Sequence, residues 1–202
     1  MIHSLSQRLS KKLAAYGVFE DSKIEVYAYG YELLLSTAIN ILLVLIIGIL
    51  LGIVREALLY IITFAVLRSY TGGYHANTHM ACITIFTASF LVCALLLRIF
   101  PSEALSPPFL LLGLLPSVVI FLKAPIEAIN KPLSDAKRSR LSKICKSISI
   151  LNAAFLTSAS LLPSLRTSLV FTYFMGVFAV SVSLITAILT KGKEVPHSEK
   201  DD

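Results

Sequence analysis

The sequence predicts an all-α, polytopic membrane protein with about six membrane segments, some of them short or re-entrant, and an N-terminal amphipathic helix. Three observations support this fold class. Hydrophobic residues make up 56% of the 202 residues and charged residues only 15%, whereas soluble domains carry about 25% charged residues. The mean hydropathy is +0.80. Apolar runs alternate with polar segments along the chain, so we expect one integral membrane domain over residues 1–202.

The N-terminal region, residues 1–32, has the pattern of a helix that lies on a membrane surface. Apolar residues recur at helical spacing from Ile2 to Tyr16, and basic residues occupy the other faces. A solvated helix packed against the rest of the protein fits the same pattern, so both interpretations stay open. We expect no cleavable signal peptide, because the first long apolar run begins only near Leu33.

Six apolar runs are candidates for membrane segments: Leu33–Ile53, Ala57–Leu67, Ala81–Phe100, Phe109–Leu122, Ser147–Leu162 and Ser168–Thr190. The first and third have the roughly 20 residues that a crossing needs. The second and fourth are shorter, and Pro116 is expected to kink the fourth. Four spans with re-entrant pieces are therefore an alternative to six spans. A polar loop, residues 123–146, is predicted before the fifth run, and the charged tail 191–202 is expected to be flexible.

The distribution of basic residues predicts the orientation in the membrane. With six spans and both termini in the cytoplasm, fifteen of the 18 Lys and Arg residues lie inside, and only Arg55, Arg98 and Arg166 lie outside. This topology also places the segment after Arg68 in the cytoplasm. The formal net charge of +6 then indicates contact with anionic lipid or an acidic peptide rather than with nucleic acid.

Reactive side chains concentrate between two apolar runs, in a stretch that contains Arg68, Gly72-Gly73, His75, Asn77, His79 and Cys82. No Asp or Glu occurs between residues 57 and 102, so imidazole and thiol are the candidate reactive groups. A cysteine reacts as the thiolate and needs a neighbouring base or cation. On one continuous helix His75 and Cys82 would lie about 10.5 Å apart along the axis. His75 must therefore lie on a turn that folds back, which the glycine pair permits.

Several alternatives to this thiol site remain open. His79 lies one helical turn before Cys82 and could be the base, and His75, His79 and Cys82 together could hold zinc. The thiol and the imidazoles could also be purely structural. Asn77 could orient His75 or stabilise an oxyanion. The two other cysteines, Cys93 in an apolar run and Cys145 in the polar loop, are expected to be bystanders, and an odd count gives no disulfide framework.

The predicted polar loop carries a cluster of basic residues: Lys137, Arg138, Arg140, Lys143 and Lys146. One interpretation is a topology determinant that holds the inner leaflet. The other is a docking surface for an acidic peptide segment, through charge-assisted hydrogen bonds.

The pattern Arg68, then Thr71-Gly72-Gly73-Tyr74-His75, then Cys82 resembles the signature of the AgrB (accessory gene regulator B) family. Members are membrane-embedded cysteine endopeptidases that process AgrD-type quorum-sensing propeptides in Gram-positive bacteria. The resemblance covers most of the chain.

The resemblance implies specific roles for residues of this chain. His75 and Cys82 would be catalytic, and Arg68, Lys137, Arg138 and Arg140 would bind the substrate. The thiol would cleave near the propeptide's C-terminus through an acyl-enzyme thioester, and an internal Cys or Ser would then close a thiolactone or lactone ring. A bacterial cell-membrane location, a homodimer and no cofactor are expected. A non-catalytic transporter or export partner and a zinc-dependent membrane hydrolase are the alternatives.

Overall fold

The computed structural model describes residues 2–72, 79–100, 111–126 and 134–191, without the side chains of His79 and Lys191. Within these ranges the fold is all-α, with no β-strand, which confirms the predicted fold class. The seven α-helices are α1 (Ile2–Ala15), α2 (Ile24–Leu51), α3 (Val54–Thr71), α4 (His79–Ile99), α5 (Leu114–Lys123), α6 (Asp135–Leu161) and α7 (Ser168–Lys191). Short 3-10 turns precede α2 and α7, at Asp21–Lys23 and Pro163–Leu165.

Helix α1 is the predicted amphipathic helix, and it folds back along the first half of α2. Small residues, Ser6, Ser10 and Ala14, form its buried face, and His3 contacts Glu32 of α2 through their side chains. Small side chains let two helices approach closely. The apolar side chains of Leu5 and Leu9 stay exposed. A location at the membrane interface is compatible with this arrangement and stays a prediction.

In the described part of the chain, four helical segments are long and apolar enough to cross a membrane: Asp21–Leu51, Met80–Ile99, Asp135–Leu161 and Ser168–Thr190. The two remaining predicted segments correspond to α3 and α5. Helix α3 has 18 residues, a rise of about 27 Å, and the 10 residues of α5 rise only about 15 Å, half of a typical hydrocarbon core. The chain is thus a polytopic helical membrane protein whose short segments are the ones expected from the sequence.

One local prediction was wrong. The segment 123–146 is not a loop throughout, because α6 begins at Asp135 and carries the basic cluster on its first turns. Hydropathy marks only the apolar part of a helix, whereas Lys, Arg and Ser can extend it into a polar region. The apolar run around Pro116 is interrupted as expected, because Leu111 is helical, residues 112 and 113 form a turn and α5 begins at Leu114. Pro116 lies in the first turn of α5, where the missing N–H costs no helical hydrogen bond.

Helix α3 packs between α7 and α4, and it runs parallel to α7. The Glu56 carboxylate accepts a hydrogen bond from the Ser168 hydroxyl at 2.8 Å near the start of both helices. Further along, a Cβ at Gly176 would lie 2.9 Å from Cγ2 of Thr63. Only glycine permits this close approach of α7 to α3.

Aromatic side chains pack α3 against α4, which runs antiparallel to it. The ring centroids of Tyr60 and Phe90 are 5.4 Å apart, and those of Phe64 and Phe86 are 4.8 Å apart. The Tyr60 hydroxyl also donates to the Ser89 hydroxyl at 2.8 Å. These contacts set the register of α3 on α4.

Candidate functional site

The C-terminal end of α3 is the structural anchor of the candidate site. Helix α3 ends at Gly72, which has φ +68° and ψ −148°, a conformation that is open essentially to glycine alone. The N–H of Ile126, just after α5, donates to the Thr71 carbonyl at 2.9 Å. A Cβ at Gly72 would lie 2.2 Å from the Ile126 carbonyl oxygen. Gly72 is therefore required both by its backbone angles and by the segment that packs on it.

Arg68 lies in the last turn of α3, beyond the apolar run 57–67. Its Nη1 donates to the Gly72 carbonyl at 2.7 Å and to the Ser183 hydroxyl of α7 at 2.9 Å. A cation is favourable at this carbonyl end of a helix. Burial lowers the pKa of the guanidinium, and the charge of Cys82 opposes that shift. Since arginine stays protonated in proteins, Arg68 supplies a fixed positive charge to this end of the bundle.

Cys82 lies in the first turn of α4, and its side chain is exposed. The packing of α4 on α3 places Cys82 at about the same height along the helix axes as Arg68. Tyr60 contacts Phe90 and Phe64 contacts Phe86, and the same antiparallel spacing continued by one helical turn places Cys82 at the level of Arg68. The exposed thiol is accessible to a substrate at this end of the bundle.

The other two cysteines are buried, and neither is in a disulfide. The Cys145 thiol donates to the Tyr70 carbonyl at 3.4 Å, which ties α6 to the end of α3. Cys145 therefore lies on a helix, not in the loop that the sequence predicted. Cys93 has no exposed surface and belongs to the aromatic core between α3 and α4. Burial of both thiols fits the bystander role expected for them.

Three predicted site residues fall partly or wholly outside the structure's description. His75 and Asn77 lie outside the described residues, and His79 is the first residue of α4 without a described side chain. Their roles stay predictions. Among the side chains that are described, no group of three His, Cys, Asp or Glu could hold a metal ion. The zinc alternative depends on His75 and His79 and so stays open.

The basic cluster lies at the same end of the bundle as Cys82. Lys137, Arg138 and Arg140 are exposed on the first turns of α6. The contact of Cys145 with Tyr70 places the next turns of α6 beside the end of α3. Lys146 lies 5.7 Å from the centre of the Phe121 ring in α5, a cation–π distance. The exposed cations and the exposed thiol thus share one end of the molecule.

Sequence reasoning missed two residues of this site, Ser183 and Ile126. Ser183 is 115 positions from Arg68 in the chain, and Ile126 pairs with Gly72 through its backbone alone. Neither residue stands in a motif. Only the packing of α7 and of the segment after α5 reveals them.

Comparison with known proteins agrees with this picture. Residues 3–189 match the family model described as Accessory gene regulator B. Two proteins of Clostridium perfringens whose names describe them as AgrB-like are similar. One, from strain SM101 / Type A, is 29% identical over 148 residues, or 71% of this chain and 69% of the relative. The other, AgrB-like protein 2 of strain 13 / Type A, is 27% identical with the same coverage.

No solved structure matches the chain. The family model extends over nearly all of α1 to α7 and includes the Arg68–Cys82 stretch. The chain therefore belongs to the AgrB family, whose members act with the AgrD propeptide in the agr quorum-sensing system.

Proposed function

We propose that this protein is a membrane-embedded cysteine endopeptidase that cleaves an AgrD-like propeptide near its C-terminus. The observation that carries the proposal is the exposed Cys82 thiol in the first turn of α4, at the end of the bundle where the half-buried Arg68 is held by Gly72 and Ser183. An accessible thiol at this position can reach the carbonyl carbon of a peptide substrate. A nucleophile of this kind suits peptide-bond cleavage through a thioester.

The reaction then proceeds in two acyl transfers. The Cys82 thiolate attacks the scissile carbonyl, the C–N bond breaks, and the departing amine takes a proton from His75. The acyl group remains on Cys82 as a thioester. An internal Cys or Ser of the peptide next attacks the thioester, gives up its proton to His75 and closes the ring, which releases the Cys82 thiolate. A site that excludes water protects the thioester during this step.

The anchoring of both flanks supports His75 as the base. Gly72 is held by Arg68 and by the segment at Ile126, and His79 begins α4. Only six residues separate these two positions, and His75 is among them. Asn77 is proposed to orient His75 or to stabilise the oxyanion.

The basic cluster is proposed to bind the acidic end of the propeptide. Lys137, Arg138 and Arg140 are exposed at the same end of the bundle as Cys82. Exposed cations attract an acidic segment over about a Debye length, and the same cluster attracts anionic lipid. A cytoplasmic location of this end and of both termini agrees with the distribution of basic residues. A homodimer is expected from the family resemblance.

The contacts of Arg68 support a structural role for its guanidinium within the protein. Its Nη1 already has two protein acceptors, Gly72 and Ser183. Contact with the substrate, expected from the resemblance, stays a prediction.

The test is co-expression with an AgrD-type propeptide, followed by mass analysis of the peptide products. Wild type is expected to release the C-terminal tail, whereas Cys82→Ser and His75→Ala insert into the membrane and release none. Cys93→Ala and Cys145→Ala serve as matched controls and are expected to cleave.

Two results would contradict this mechanism. Cleavage by Cys82→Ser would exclude the thiol as nucleophile. Loss of cleavage in His79→Ala together with loss on addition of a chelator would favour the zinc hydrolase instead.

A further inference from the structure

We infer that Phe64 of α3 and Phe86 of α4 form an aromatic shelf next to the Cys82 thiol, one helical turn further into the bundle, and that the shelf contacts the substrate residue before the scissile bond. A large apolar side chain fits such a shelf best. The inference rests on the proposed function, because it names the kind of substrate residue that the same site takes. Both phenylalanines lie outside the Arg68–Cys82 stretch that the sequence singles out.

The position of Phe86 beside the thiol follows from helix geometry. Cys82 and Phe86 are four residues apart on α4, and side chains at this spacing lie on one face with their Cβ atoms about 5–6 Å apart. Cys82 is exposed, whereas Phe86 is only 9% exposed. A substrate carbonyl that reaches the thiol therefore brings the side chain next to it within reach of Phe86.

Phe64 extends this apolar surface from α4 to α3. Its ring centroid lies 4.8 Å from that of Phe86, and the two rings meet edge to face. Tyr60 contacts both rings from the other side and has no exposed surface, whereas Phe64 is half-buried. The aromatic layer between α3 and α4 is thus closed at Tyr60 and partly open at Phe64.

The positions that follow the shelf by one helical turn carry side chains that leave room for a substrate. On α4 this position is Cys82, whose side chain is small. On α3 it is Arg68, whose guanidinium donates to the Gly72 carbonyl and to the Ser183 hydroxyl of α7. An apolar substrate side chain placed on the shelf would leave water and gain contact with two rings, which is favourable. Alanine at the same substrate position is too short to gain much of this contact.

The experiment compares two AgrD-type propeptides that differ only in the residue before the scissile bond, which is Leu in one and Ala in the other. The cleavage position is first mapped from the mass of the tail that the purified, detergent-solubilised wild type releases. Wild type is expected to cleave the Leu propeptide with about tenfold higher kcat/KM. In Phe64→Ala this ratio is expected to fall to about twofold or less. Partial unfolding cannot cause the fall, because both substrates meet the same folded fraction.

The chain offers a matched control on another helix. Phe155 of α6 is also partly exposed, and its ring meets Tyr173 edge to face at 5.4 Å. Phe155→Ala is expected to keep the wild-type ratio. Phe64→Leu retains a large apolar side chain and is expected to keep most of the preference. An unchanged ratio in Phe64→Ala, or an equal fall in Phe155→Ala, would overturn the inference.

A photocrosslink tests the same contact without changing either phenylalanine, and so it decides the matter even if Phe64→Ala does not fold. A propeptide with benzoylphenylalanine before the scissile bond is irradiated with the Cys82→Ala protein, and the crosslinked peptides are identified by mass. Crosslinks are expected within residues 60–68 of α3 or 83–90 of α4. Their absence from both segments would overturn the inference.

The two proposals fail in different ways. If the crosslinks form at the shelf but wild type cleaves no propeptide, the contact stands and the proposed function fails. If cleavage requires Cys82 but the ratio between the Leu and Ala propeptides is the same in wild type and Phe64→Ala, the proposed function stands and the shelf is not the specificity determinant.

Discussion

Replacing Gly72 with alanine tests the geometry on which the candidate site depends. The new Cβ would lie 2.2 Å from the Ile126 carbonyl oxygen, whereas real Cβ contacts lie beyond 3.0 Å. The oxygen belongs to backbone, so a rotamer change cannot relieve the clash. Alanine would also have to adopt φ +68° and ψ −148°, a conformation that costs about 1–3 kcal/mol for a residue with a Cβ.

The total effect follows from these two contributions. Moving Ile126 away breaks the hydrogen bond from its N–H to the Thr71 carbonyl, a loss of about 0.5–1.5 kcal/mol. The two contributions sum to about 1.5–4.5 kcal/mol, and the protein can lower this cost by shifting the turn and the Arg68 contact with it. Because His75 follows this turn in the chain, we expect such a shift to displace it relative to Cys82. We expect kcat/KM for propeptide cleavage to fall at least about tenfold.

The assay is propeptide cleavage followed by mass, alongside the amount of protein inserted in the membrane. Gly52→Ala is the matched control, because Gly52 has φ +71° but nothing within 4 Å of an added Cβ, and it lies at the opposite end of α3. Alanine at position 52 would adopt the left-handed α region, with ψ +21°, which is less costly than the Gly72 conformation, and it would meet no clash. Gly52→Ala is therefore expected to retain activity. Wild-type cleavage by Gly72→Ala would refute the proposed link between this turn and the site.

Two further predictions concern packing and charge. Gly176→Ala is expected to destabilise the bundle by about 1–3 kcal/mol, because its Cβ would meet Thr63 of α3. The control is Gly30→Ala, whose added Cβ meets nothing within 4 Å. Gly176→Ala is expected to have the lower thermal midpoint in detergent, and equal midpoints would contradict this prediction. Replacing Lys137, Arg138 and Arg140 together with Gln is expected to raise KM for the propeptide and to remove most of its salt dependence, because exposed charges act through a screened field. An unchanged KM at low salt would remove the basic cluster from substrate binding.

The order of residues alone is enough to predict the class of this protein and to point to its candidate reactive groups. Composition and apolar runs predict a polytopic helical membrane protein, because a bilayer accepts only segments that satisfy their own backbone hydrogen bonds. The stretch from Arg68 to Cys82 stands out because thiol and imidazole are the local reactive groups in the absence of any carboxylate. Local patterns of this kind are visible in the order of residues alone.

The contacts that fix the end of α3 are visible only in the packed helices. The contact of Arg68 with Ser183, the pairing of Gly72 with Ile126 and the start of α6 at Asp135 could not be predicted from local pattern. Each depends on helices distant in sequence that meet through small or aromatic side chains, whose partners the sequence does not name. Hydropathy identifies the apolar segments of the chain, but the packing of the helices brings Arg68 to Ser183 and Gly72 to Ile126.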